Sequence, residues 1–407
     1  MKIVVLKFGG TSVGTVERIK KVANIIIGYI KKRYKVVVVS SAMSGTTNDL
    51  IKKSKNVSKN FNSSEYDVLV SAGEQVACAL IAGRLNHLGY KSHSWMGWQI
   101  PILTEGNYGS SRISKIYKKN IFSFLRSGGI PIIAGFQGVN ISNRITTLGR
   151  GGSDASAIMC AKFFKAEKCV IYTDVDGVYT TDPKLVSKAK KIKKISYEEM
   201  LEMSSLGAKV LQTRSAELAM KKNIQLKVLS SITNSKGTLI TNEDQLIEKE
   251  MITGVSYSKN ESKITISGVP DKPGISATIF GILAKNNINV DMIVQNISQD
   301  GVSANLTFTV KNSDMEISKE VLEENHQKVL FKQISTDSDV VKISVIGMGM
   351  MSQTGVAEKM FKTLAENSIN ILAISTSEIK ISVLIDKKYT ELAVKSLHAV
   401  YNLNNIN

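Results

Sequence analysis

The stretch Thr146-Thr-Leu-Gly-Arg-Gly-Gly-Ser-Asp154 places two threonine hydroxyls, three glycines, a cation and a carboxylate within nine residues. Good helix formers with apolar side chains at helical spacing follow it, which predicts a helix over Asp154–Lys165 capped by Ser153 or Asp154. A helix N-terminus attracts anions through its free N–H groups and its dipole. Arg150 adds a bidentate grip on a carboxylate or a phosphate. The stretch therefore predicts an anion-binding loop and leaves open which anion it binds.

Strand and helix signals alternate along the first 175 residues or so. Compact apolar runs predict strands at Ile3–Leu6, Val36–Ser40, Ile130–Ala134 and Cys169–Thr173. Helical spacing predicts further helices at Val16–Lys32, Ser71–Leu88 and Ile113–Ser127. This alternation predicts an α/β fold with helices on both faces of a parallel sheet. Ligands of such sheets bind at the carboxyl ends of the strands.

The composition is that of a globular protein with several domains. The chain has 407 residues, of which 43% are hydrophobic and 22% charged, and this is enough for two or three domains. Cys78, Cys160 and Cys169 lie in apolar contexts without C-x-x-C spacing, which indicates buried thiols in a reducing compartment. The N-terminus lacks the features of a signal peptide, and no apolar run approaches the length of a membrane span. We therefore expect a cytoplasmic protein with no membrane partner.

The net charge of +18 raises the possibility of nucleic-acid binding. The lysines are scattered, with one concentration at 184–194, and no aromatic stacking motif accompanies them. We therefore expect weak, nonspecific attraction of nucleic acid at most, and general attraction of phosphate-bearing ligands.

The chain nearly repeats itself after a polar, charged stretch, Asn242–Lys249, that we interpret as a linker. Ile264-Thr-Ile-Ser-Gly-Val269 is similar to Ile343-Ser-Val-Ile-Gly-Met348, and a helix starting with glycine is predicted after each, at Gly274–Lys285 and Gly355–Glu366. Each helix leads through Asn-x-Ile-Asn into another predicted strand, Asn287–Ile297 or Ser368–Ser375. A period of about 80 residues suits two copies of a small β-α-β-β-α-β domain. Such a pair is more typical of regulation than of catalysis, although a structural dimerisation module is an alternative.

The loop Leu6-Lys-Phe-Gly-Gly-Thr-Ser-Val-Gly14 follows the first strand. Its lysine precedes the glycines, so it is neither a Walker A motif nor the G-x-G-x-x-G fingerprint. A lysine beside two glycines at a strand end still suits polyphosphate, because it can neutralise charge on a transferred phosphoryl group.

Three further polar segments follow strands or begin helices. The hydroxyls of Val39-Ser-Ser-Ala-Met-Ser-Gly-Thr-Thr-Asn48 could bind a polar substrate or cap a helix. Glu74 could face a substrate ammonium or simply the helix dipole. Asp174 and Asp176 lack the spacing of an EF-hand, and a nucleotide site with Mg²⁺ bridging the phosphates fits them better.

The combination of KFGGTSV, VVSSAMSGTTN, GEQ, TTLGRGGSD, YTDVDGVYTTDP and SYEEMLEMSSLGAKVLQTRS resembles the aspartokinases of the amino acid kinase family, and the repeated tail resembles their paired ACT domains. The resemblance spans essentially the whole chain. It implies a three-layer αβα sandwich of the carbamate kinase-like type over residues 1–245, followed by two ferredoxin-like ACT domains at 262–336 and 341–407. It also implies that MgATP phosphorylates the β-carboxylate of L-aspartate, with ATP and Mg²⁺ required, giving 4-phospho-L-aspartate for lysine/diaminopimelate, threonine and methionine biosynthesis.

The resemblance also implies roles for individual residues. Lys7 and Asp154 match the catalytic positions, with Asp154 ordering the lysine. The substrate-binding positions are Ser41, Thr47, Glu74, Arg150, Gly151, Gly152 and Ser153. The ATP-binding positions are Lys7, Phe8, Gly9, Gly10, Thr173, Asp174, Tyr179, Lys184 and Lys209. No residue matches a protein metal ligand.

The regulatory positions that the resemblance implies are Asp271, Gly274, Gln295, Asn370 and Ile371. Asp271 is expected to accept the ammonium of an amino-acid effector, lysine or threonine or both, and the helix at Gly274 to receive its carboxylate. The ACT pairs are expected to form a homodimer or a higher homo-oligomer. Met251 could alternatively start a separate regulatory subunit.

Three positions depart from the family pattern. Ala155-Ser156 replaces Thr-Thr, and Lys184 replaces an arginine and so loses bidentate geometry. Gly349-Met-Met-Ser-Gln-Thr-Gly355 replaces a more polar loop in the second ACT copy. The competing hypotheses are a kinase of the same fold acting on glutamate, acetylglutamate or UMP, and a catalytically inactive amino-acid sensor.

Overall fold

The computed structural model describes residues 2–205, 210–242, 251–298 and 301–405. These residues form two compact units, each with far more contacts within itself than with the other. The first unit holds residues 2–178 and 191–242, and the second holds 179–190 and 251–405. The segment 179–190 thus falls inside the predicted catalytic range of 1–245, but its contacts group it with the second unit.

An eight-stranded sheet forms the centre of the first unit, in the order β10-β12-β11-β9-β1-β2-β6-β3. Neighbouring strands from β11 to β3 in this order are parallel. At the β11 edge, β12 pairs antiparallel to β11, and β10 pairs parallel to β12. The bounds are β1 Ile3–Phe8, β2 Lys35–Ser40, β3 Ser92–Trp95, β6 Ile130–Ala134, β9 Lys168–Thr173, β10 Lys194–Ser196, β11 Leu226–Ser230 and β12 Thr238–Thr241. The four strands predicted from the sequence are confirmed within two residues.

Helices cover both faces of this sheet. One face carries a core in which Val4, Leu6 and Phe8 of β1 pack with side chains of α1 (Val16–Lys31) and α4 (Ala72–His87). The other face carries α6 (Gly152–Phe164), which packs against β1, β2 and β9. Every residue of β1 is buried, as expected for a strand covered on both sides. The predicted α/β class and three-layer arrangement are confirmed.

The remaining helices of the first unit are α2 Thr46–Val57, α3 Ser63–Val70, α5 Lys119–Arg126, α7 Tyr197–Ser205 and α8 Thr213–Lys222. A smaller sheet, in the order β5-β4-β7-β8, is formed by Ile102–Glu105 (β4), Arg112–Ile116 (β5), Gln137–Val139 (β7) and Ile145–Thr147 (β8). The helix predicted at Ile113–Ser127 is therefore wrong in its first half. Ile113 and Ile116 are three positions apart, which is compatible with a helix, but the segment pairs with β4 as β5, with a register shift between Leu103 and Thr104.

Helices α3 and α4 together correct the expectation about membrane spans. The 25-residue stretch Ser63–His87 is long and apolar enough to cross a bilayer by length and composition, because 18 consecutive residues within it have a mean hydropathy of 1.4. Half of those 18 residues are buried inside the first unit. Ala77, Cys78, Ile81 and Leu85 of α4 belong to the core beneath the sheet. The stretch is thus divided into two helices of a folded domain, of which α4 packs in the core.

The second unit contains two four-stranded antiparallel sheets, in the orders β15-β16-β14-β17 and β13-β18-β20-β19. The strands are β13 Gly254–Ser258, β14 Ser262–Pro270, β15 Val290–Ile297, β16 Ser303–Val310, β17 Gln333–Asp337, β18 Val340–Ile346, β19 Ala373–Ser377 and β20 Lys380–Asp386. The helices are α9 Ile275–Lys285, α10 Met315–Glu324, α11 His326–Val329, α12 Val356–Glu366 and α13 Thr390–Val400. Gly274 and Gly355 cap α9 and α12 in the left-handed conformation, in agreement with the predicted glycine-started helices.

The first copy has the predicted β-α-β-β-α-β order, but the second departs from it. β13 precedes the first copy in the chain and pairs with β18 of the second, with Gly254 opposite Ile346. It occupies the place that β17 takes in the first sheet. The second copy is therefore completed by a strand from upstream.

The segment 179–190 is bound to this second sheet. The Thr180 carbonyl accepts the Val255 N–H of β13 at 2.7 Å, and the Thr180 hydroxyl lies 2.8 Å from His398 Nε2 on α13. Val186 is buried in the core formed by β18, β20, α12 and α13. Burial lowers the pKa of His398, so its ring is neutral at pH 7.

Candidate active site

Two cavities lie at the carboxyl ends of β1, β2 and β9. β1 lies between β2 and β9 in the sheet, so the loop after β2 is on one side of the β1 end and the loop after β9 is on the other. The chain passes from β1 to β2 on one side and reaches β9 on the other side only after β6, so the strand order reverses at β1. Such a reversal is a switch point, where open α/β sheets bind ligands. The fold therefore brings the polar loops predicted from the sequence to one edge.

We name the cavities after a residue that lines each of them. The Arg150 cavity has a volume of about 310 Å³ and is lined by Lys7, Gly10, Ser41, Ala42, Met43, Ser44, Gly45, Thr47, Asn48, Glu74, Phe136, Gly149, Arg150, Gly151, Gly152, Ser153 and Asp154. The Asp174 cavity has a volume of about 320 Å³ and is lined by Lys7, Gly9, Gly10, Thr11, Ser44, Asp154, Ile171, Thr173, Asp174, Val210, Leu211 and Gln212. Lys7, Gly10, Ser44 and Asp154 line both, so the two cavities meet at these residues.

Lys7 and Asp154 form a buried ion pair at this junction. Lys7 Nζ lies 2.6 Å from Asp154 Oδ1, and each residue is 8% exposed. The contact is a close charge pair that lacks the alignment of a good hydrogen bond. Strand alternation turns Lys7 away from the Phe8 face and towards α6, whose first turn carries Asp154. The lysine is therefore held where both cavities have access to it.

Glu74 is the buried carboxyl group of the Arg150 cavity. It lies in the first turn of α4, and its Oε1 accepts the Ala42 N–H at 3.1 Å. Its Oε2 is buried and has no hydrogen-bond partner among the described residues. Burial raises the pKa of Glu74 to about 8. A carboxyl group with one unsatisfied oxygen facing a cavity is suited to a cationic group of a ligand.

Arg150 is the exposed cation of the same cavity. It has no ion pair with any residue that the structure describes. Helix α6 begins directly after the loop, and its cap is Gly151, with φ of +75°, rather than the predicted Ser153 or Asp154. A Cβ at Gly151 would lie 2.8 Å from Gln212 Cγ, so the close approach of α8 favours glycine there. The Asp154 N–H donates to Gly151 O at 3.1 Å, so Asp154 lies within the first turn of α6 and is not its cap. Its carboxylate contacts Lys7.

The two threonine hydroxyls of the loop do not line either cavity. Thr146 Oγ1 lies 2.5 Å from Thr104 Oγ1, and Thr147 Oγ1 donates to Asp67 Oδ1 at 2.8 Å. They point into the small sheet because β8 pairs with β7 and packs against α3.

The Asp174 cavity opens beside the end of β9. Thr173 Oγ1 donates to Asp174 Oδ1 at 3.0 Å, and Asp174 is exposed. Gly9 lines the cavity, but its N–H donates to Tyr172 O at 3.0 Å and is thus not available to a phosphate. Asp176 is paired with Lys191 at 3.1 Å.

Other predicted nucleotide positions lie elsewhere. The Phe8 ring is stacked on Tyr172 within the core, with centroids 4.9 Å apart, so its side chain does not face either cavity. Tyr179 and Lys184 belong to the segment grouped with the second unit. Lys209 lies outside the described residues.

The predicted regulatory residues lie in the second unit. Asp271 and Gly274 precede α9, and Gln295 Oε1 on β15 accepts a hydrogen bond from Ser276 at 3.1 Å. This contact brings β15 next to the first turn of α9. Asn370 and Ile371 lie between α12 and β19 of the second copy.

Several contributing residues had no sequence signal of their own. Phe136, with φ of +67°, lines the Arg150 cavity, and its N–H donates to the Ser156 hydroxyl at 3.0 Å. The family departure at Ser156 is therefore accommodated by a structural hydrogen bond. Asp67 and Arg214 form hydrogen bonds with Thr147 and Leu148, the residues that lead into the loop carrying Arg150. Asp67 lies two residues after Glu65 on α3, and nothing in its residue type distinguishes this buried carboxylate from an exposed one.

Comparisons with known proteins agree with this arrangement. Residues 2–230 match the model of the amino acid kinase family, and residues 264–325 and 343–401 match an ACT domain model. The aspartate kinase of Pseudomonas fluorescens is 47% identical over 407 residues, covering 99% of this chain and 98% of the relative. E. coli aspartokinase III with aspartate and ADP in the R-state has a TM-score of 0.81 and 25% identity, covering 98% of this chain and 99% of that one. The same enzyme with lysine and aspartate in the T-state has a TM-score of 0.79 and 26% identity, covering 99% and 100%. The chain therefore belongs to the amino acid kinase family and, within it, to the aspartate kinases that carry ACT domains.

Proposed function

We propose that the Arg150 cavity binds L-aspartate, that the Asp174 cavity binds ATP, and that the γ-phosphoryl group is transferred at their junction to give 4-phospho-L-aspartate. One observation carries this assignment. A single cavity presents the cation Arg150 and the carboxyl group of Glu74, and it meets a second cavity at Lys7. The solved E. coli relative that contains both aspartate and ADP supports it.

The Arg150 cation and the Glu74 carboxyl group, which can ionise beside an ammonium, match the two charged groups of a zwitterionic amino acid. The Arg150 guanidinium can hold the α-carboxylate through two parallel hydrogen bonds. The Glu74 carboxylate can accept the ammonium through Oε2, which has no partner among the residues described. Ser41, Thr47 and the residues 151–153 complete the wall around the substrate.

The reaction needs no general base. A β-carboxylate has a pKa of about 3.9 and is already ionised at neutral pH. One of its oxygens attacks the γ-phosphorus, a P–O bond forms, and the bond between the γ-phosphorus and the bridging oxygen breaks, with its electron pair leaving on ADP. Lys7 stabilises the charge on the transferred group, and Asp154 keeps the lysine oriented.

The oxygen donors of the Asp174 cavity fit Mg²⁺ that is held mainly by phosphates. The exposed Asp174 carboxylate and the Thr173 hydroxyl are hard oxygen ligands of the type that Mg²⁺ prefers. Mg²⁺ bound with ATP would neutralise phosphate charge. Asp174 would position the metal nucleotide, while Lys7 would contact the transferred group.

We further propose regulation by an amino acid, lysine or threonine or both, at Asp271, Gly274 and Gln295 of the first ACT copy with Asn370 and Ile371 of the second. The charge of exposed Asp271 and the N-terminus of α9 are complementary to an ammonium and a carboxylate. The lysine complex of the E. coli relative supports this. On this proposal the enzyme is a cytoplasmic homo-oligomer that begins lysine, threonine and methionine biosynthesis.

The test is trapping of the acyl phosphate with hydroxylamine. Aspartyl hydroxamate should form with ATP, Mg²⁺ and aspartate. In a parallel assay of ADP release, aspartate should give a much higher rate than glutamate, acetylglutamate or UMP. Arg150→Ala should raise KM for aspartate far more than KM for ATP. Equal effects on both would assign Arg150 to the nucleotide, and an absence of hydroxamate would favour an inactive sensor. Lysine and threonine, added alone and together, should change the rate.

A further inference from the structure

Asp67 is a fully buried carboxylate that touches neither cavity. It lies on α3 with 0% exposure. Its Oδ2 accepts the N–H of Thr147 at 2.7 Å and the N–H of Gly109 at 3.0 Å, and its Oδ1 accepts the Thr147 hydroxyl at 2.8 Å. One carboxylate therefore binds two segments that are 38 residues apart in the chain.

Arg214 on α8 binds the same two segments through their carbonyl groups. Its Nη1 donates to Leu148 O at 2.5 Å, and its Nη2 donates to Ser111 O at 3.0 Å. The planar guanidinium can reach both carbonyls at once because its donors point in fixed directions. Burial lowers the pKa of Arg214, although an arginine remains charged at any working pH.

Together these groups form a clamp that we define as Asp67, Arg214 and the two segments 109–111 and 147–148. The segments are joined directly by the hydrogen bond from Ser111 N–H to Thr147 O at 3.0 Å. Asp67 accepts one N–H from each segment, and Arg214 donates to one carbonyl of each. Gly149 follows at once, with so close an approach that a Cβ there would lie 2.7 Å from Gly109 O. Arg150 is the next residue.

We propose that Asp67 and Arg214 are positioning residues that fix the direction of Arg150 and so set the affinity for the substrate carboxylate. This inference rests on the proposed role of Arg150. An exposed arginine on a glycine-rich loop samples many directions, and binding a carboxylate in one geometry costs that freedom. A stem fixed by charged hydrogen bonds removes part of the cost before the substrate arrives.

Stability alone does not account for the clamp. A buried charge costs free energy, and an apolar side chain of similar volume is often as stabilising. Asp67 and Arg214 form their hydrogen bonds mainly with backbone groups of the segments 109–111 and 147–148. The second segment directly precedes Gly149 and Arg150, which line the Arg150 cavity. This placement has a geometric consequence for Arg150 that general packing would not have.

The two arms of the clamp should differ in their kinetic effects. Residues 210–212 directly precede α8 and line the Asp174 cavity. The Ser215 hydroxyl donates to Gly151 O at 3.4 Å, so α8 is close to the loop on both sides of Arg150. Changes at Arg214 should therefore affect KM for both substrates. Changes at Asp67 on α3 should affect aspartate selectively.

The experiment compares Asp67→Ala, Asp67→Asn and Thr147→Val by steady-state kinetics and thermal unfolding. Asp67→Ala should raise KM for aspartate about tenfold, the size of one charged hydrogen bond, with KM for ATP changed less than about twofold. Asp67→Asn should recover most of the affinity, because its carbonyl oxygen can accept both N–H groups and its amide can donate to a rotated Thr147 hydroxyl. Thr147→Val, which keeps the backbone bonds, should have the smaller effect.

Ile26→Ala is the matched control. Ile26 is fully buried in α1, away from the clamp, so this variant lowers stability without touching the loop. If Asp67→Ala and Ile26→Ala lose similar stability and both keep the wild-type KM for aspartate, the clamp is structural and the inference is overturned. Should Asp67→Ala not fold, Arg214→Lys takes its place, because lysine keeps the charge but loses the two directed donors to Leu148 O and Ser111 O. An unchanged KM for aspartate in that variant would equally overturn the inference. If Arg150→Ala itself leaves KM for aspartate unchanged, the proposed function fails instead.

Discussion

Lys7 lies at the centre of the site because of the side-chain alternation of one strand. Leu6 and Phe8 point into the core with α1 and α4, so Lys7 between them points towards α6 and reaches Asp154. Both partners are 8% exposed, and each charge depends on the other to compensate for its burial. At the scale of the residue, the same pair serves both stability and catalysis, and the two contributions can be separated.

Lys7→Met should lower both stability and activity. Removing the cation leaves Asp154 buried and unpaired, which should cost about 3 kcal/mol of unfolding free energy, and kcat should fall roughly 100-fold or more because the charge of the phosphoryl group is unopposed. The double variant Lys7→Met, Asp154→Asn should regain stability but not kcat, as measured by thermal unfolding and hydroxamate formation. A double variant with recovered activity would show that Lys7 has only a structural role.

Glu74 should make stability depend on pH. Burial raises the pKa of Glu74 to about 8 in the folded protein, against a usual value near 4.5 in an unfolded chain. The folded state thus keeps a proton that the unfolded state releases, so the stability due to this group is fully present below about pH 4.5 and is lost as the pH rises to about 8. Glu74→Gln should gain stability relative to wild type over that window. Parallel Tm–pH curves for the two proteins would contradict this.

The same group should couple aspartate binding to proton release. An ammonium beside Glu74 favours the ionised carboxylate and lowers the pKa of Glu74 from its raised value. KM for aspartate should therefore decrease as the pH rises from 6 to 8, and calorimetry in buffers of different ionisation enthalpy should detect a released proton. Glu74→Gln should show neither effect.

At the scale of the element, the start of α6 decides the geometry of the loop. Gly151 has φ of +75° and lies against Gln212 at the start of α8, so residues from two helices share one tight contact. The sequence predicted the helix but misplaced its cap, because Ser153 and Asp154 are good caps by type. The close approach of α8 favours glycine at the cap. Asp154 is then the third residue of α6, in its first turn, and its carboxylate faces Lys7.

Gly151→Ala should raise KM for aspartate by about tenfold, because a left-handed alanine costs roughly 1–2 kcal/mol and its Cβ meets Gln212. Steady-state kinetics should show this change together with a smaller change in KM for ATP. Combining it with Gln212→Gly removes the contacts with Gln212 Cγ and Cβ but not the backbone strain at residue 151, so recovery should be partial. Full recovery would mean that only the contact with Gln212 matters.

At the scale of the whole molecule, the second unit is completed by residues that the repeated sequence motif does not include. β13 supplies the fourth strand of the second ACT sheet, and the segment 179–190 buries Val186 in the core of the same unit. A regulatory fragment beginning at Met251 would retain β13 but lose Val186 and the bond from Thr180 to His398. The second unit therefore depends on a segment that lies within the predicted catalytic range.

Val186→Asp should destabilise the second unit by about 3 kcal/mol, because it places a charge in an apolar core. Amide hydrogen exchange in β13, β18 and β20 should accelerate. Ser187→Asp is the control, since Ser187 is the exposed neighbour and should leave exchange unchanged. Equal exchange in the two variants would show that Val186 does not stabilise this core.

The sequence by itself determined the α/β class, the ACT repeat and the loops that carry Lys7, Glu74, Arg150 and Asp174. These depend on local patterns, namely periodicity and polar residues at strand ends, and a parallel sheet necessarily brings those ends to one edge. Only the tertiary structure decided that Thr146 and Thr147 face inward, that Asp67 and Arg214 hold the Arg150 loop, and that β13 completes the second ACT sheet. Those features arise from contacts between residues far apart in the chain, and a single buried carboxylate or a five-residue strand carries no local pattern that identifies its partner.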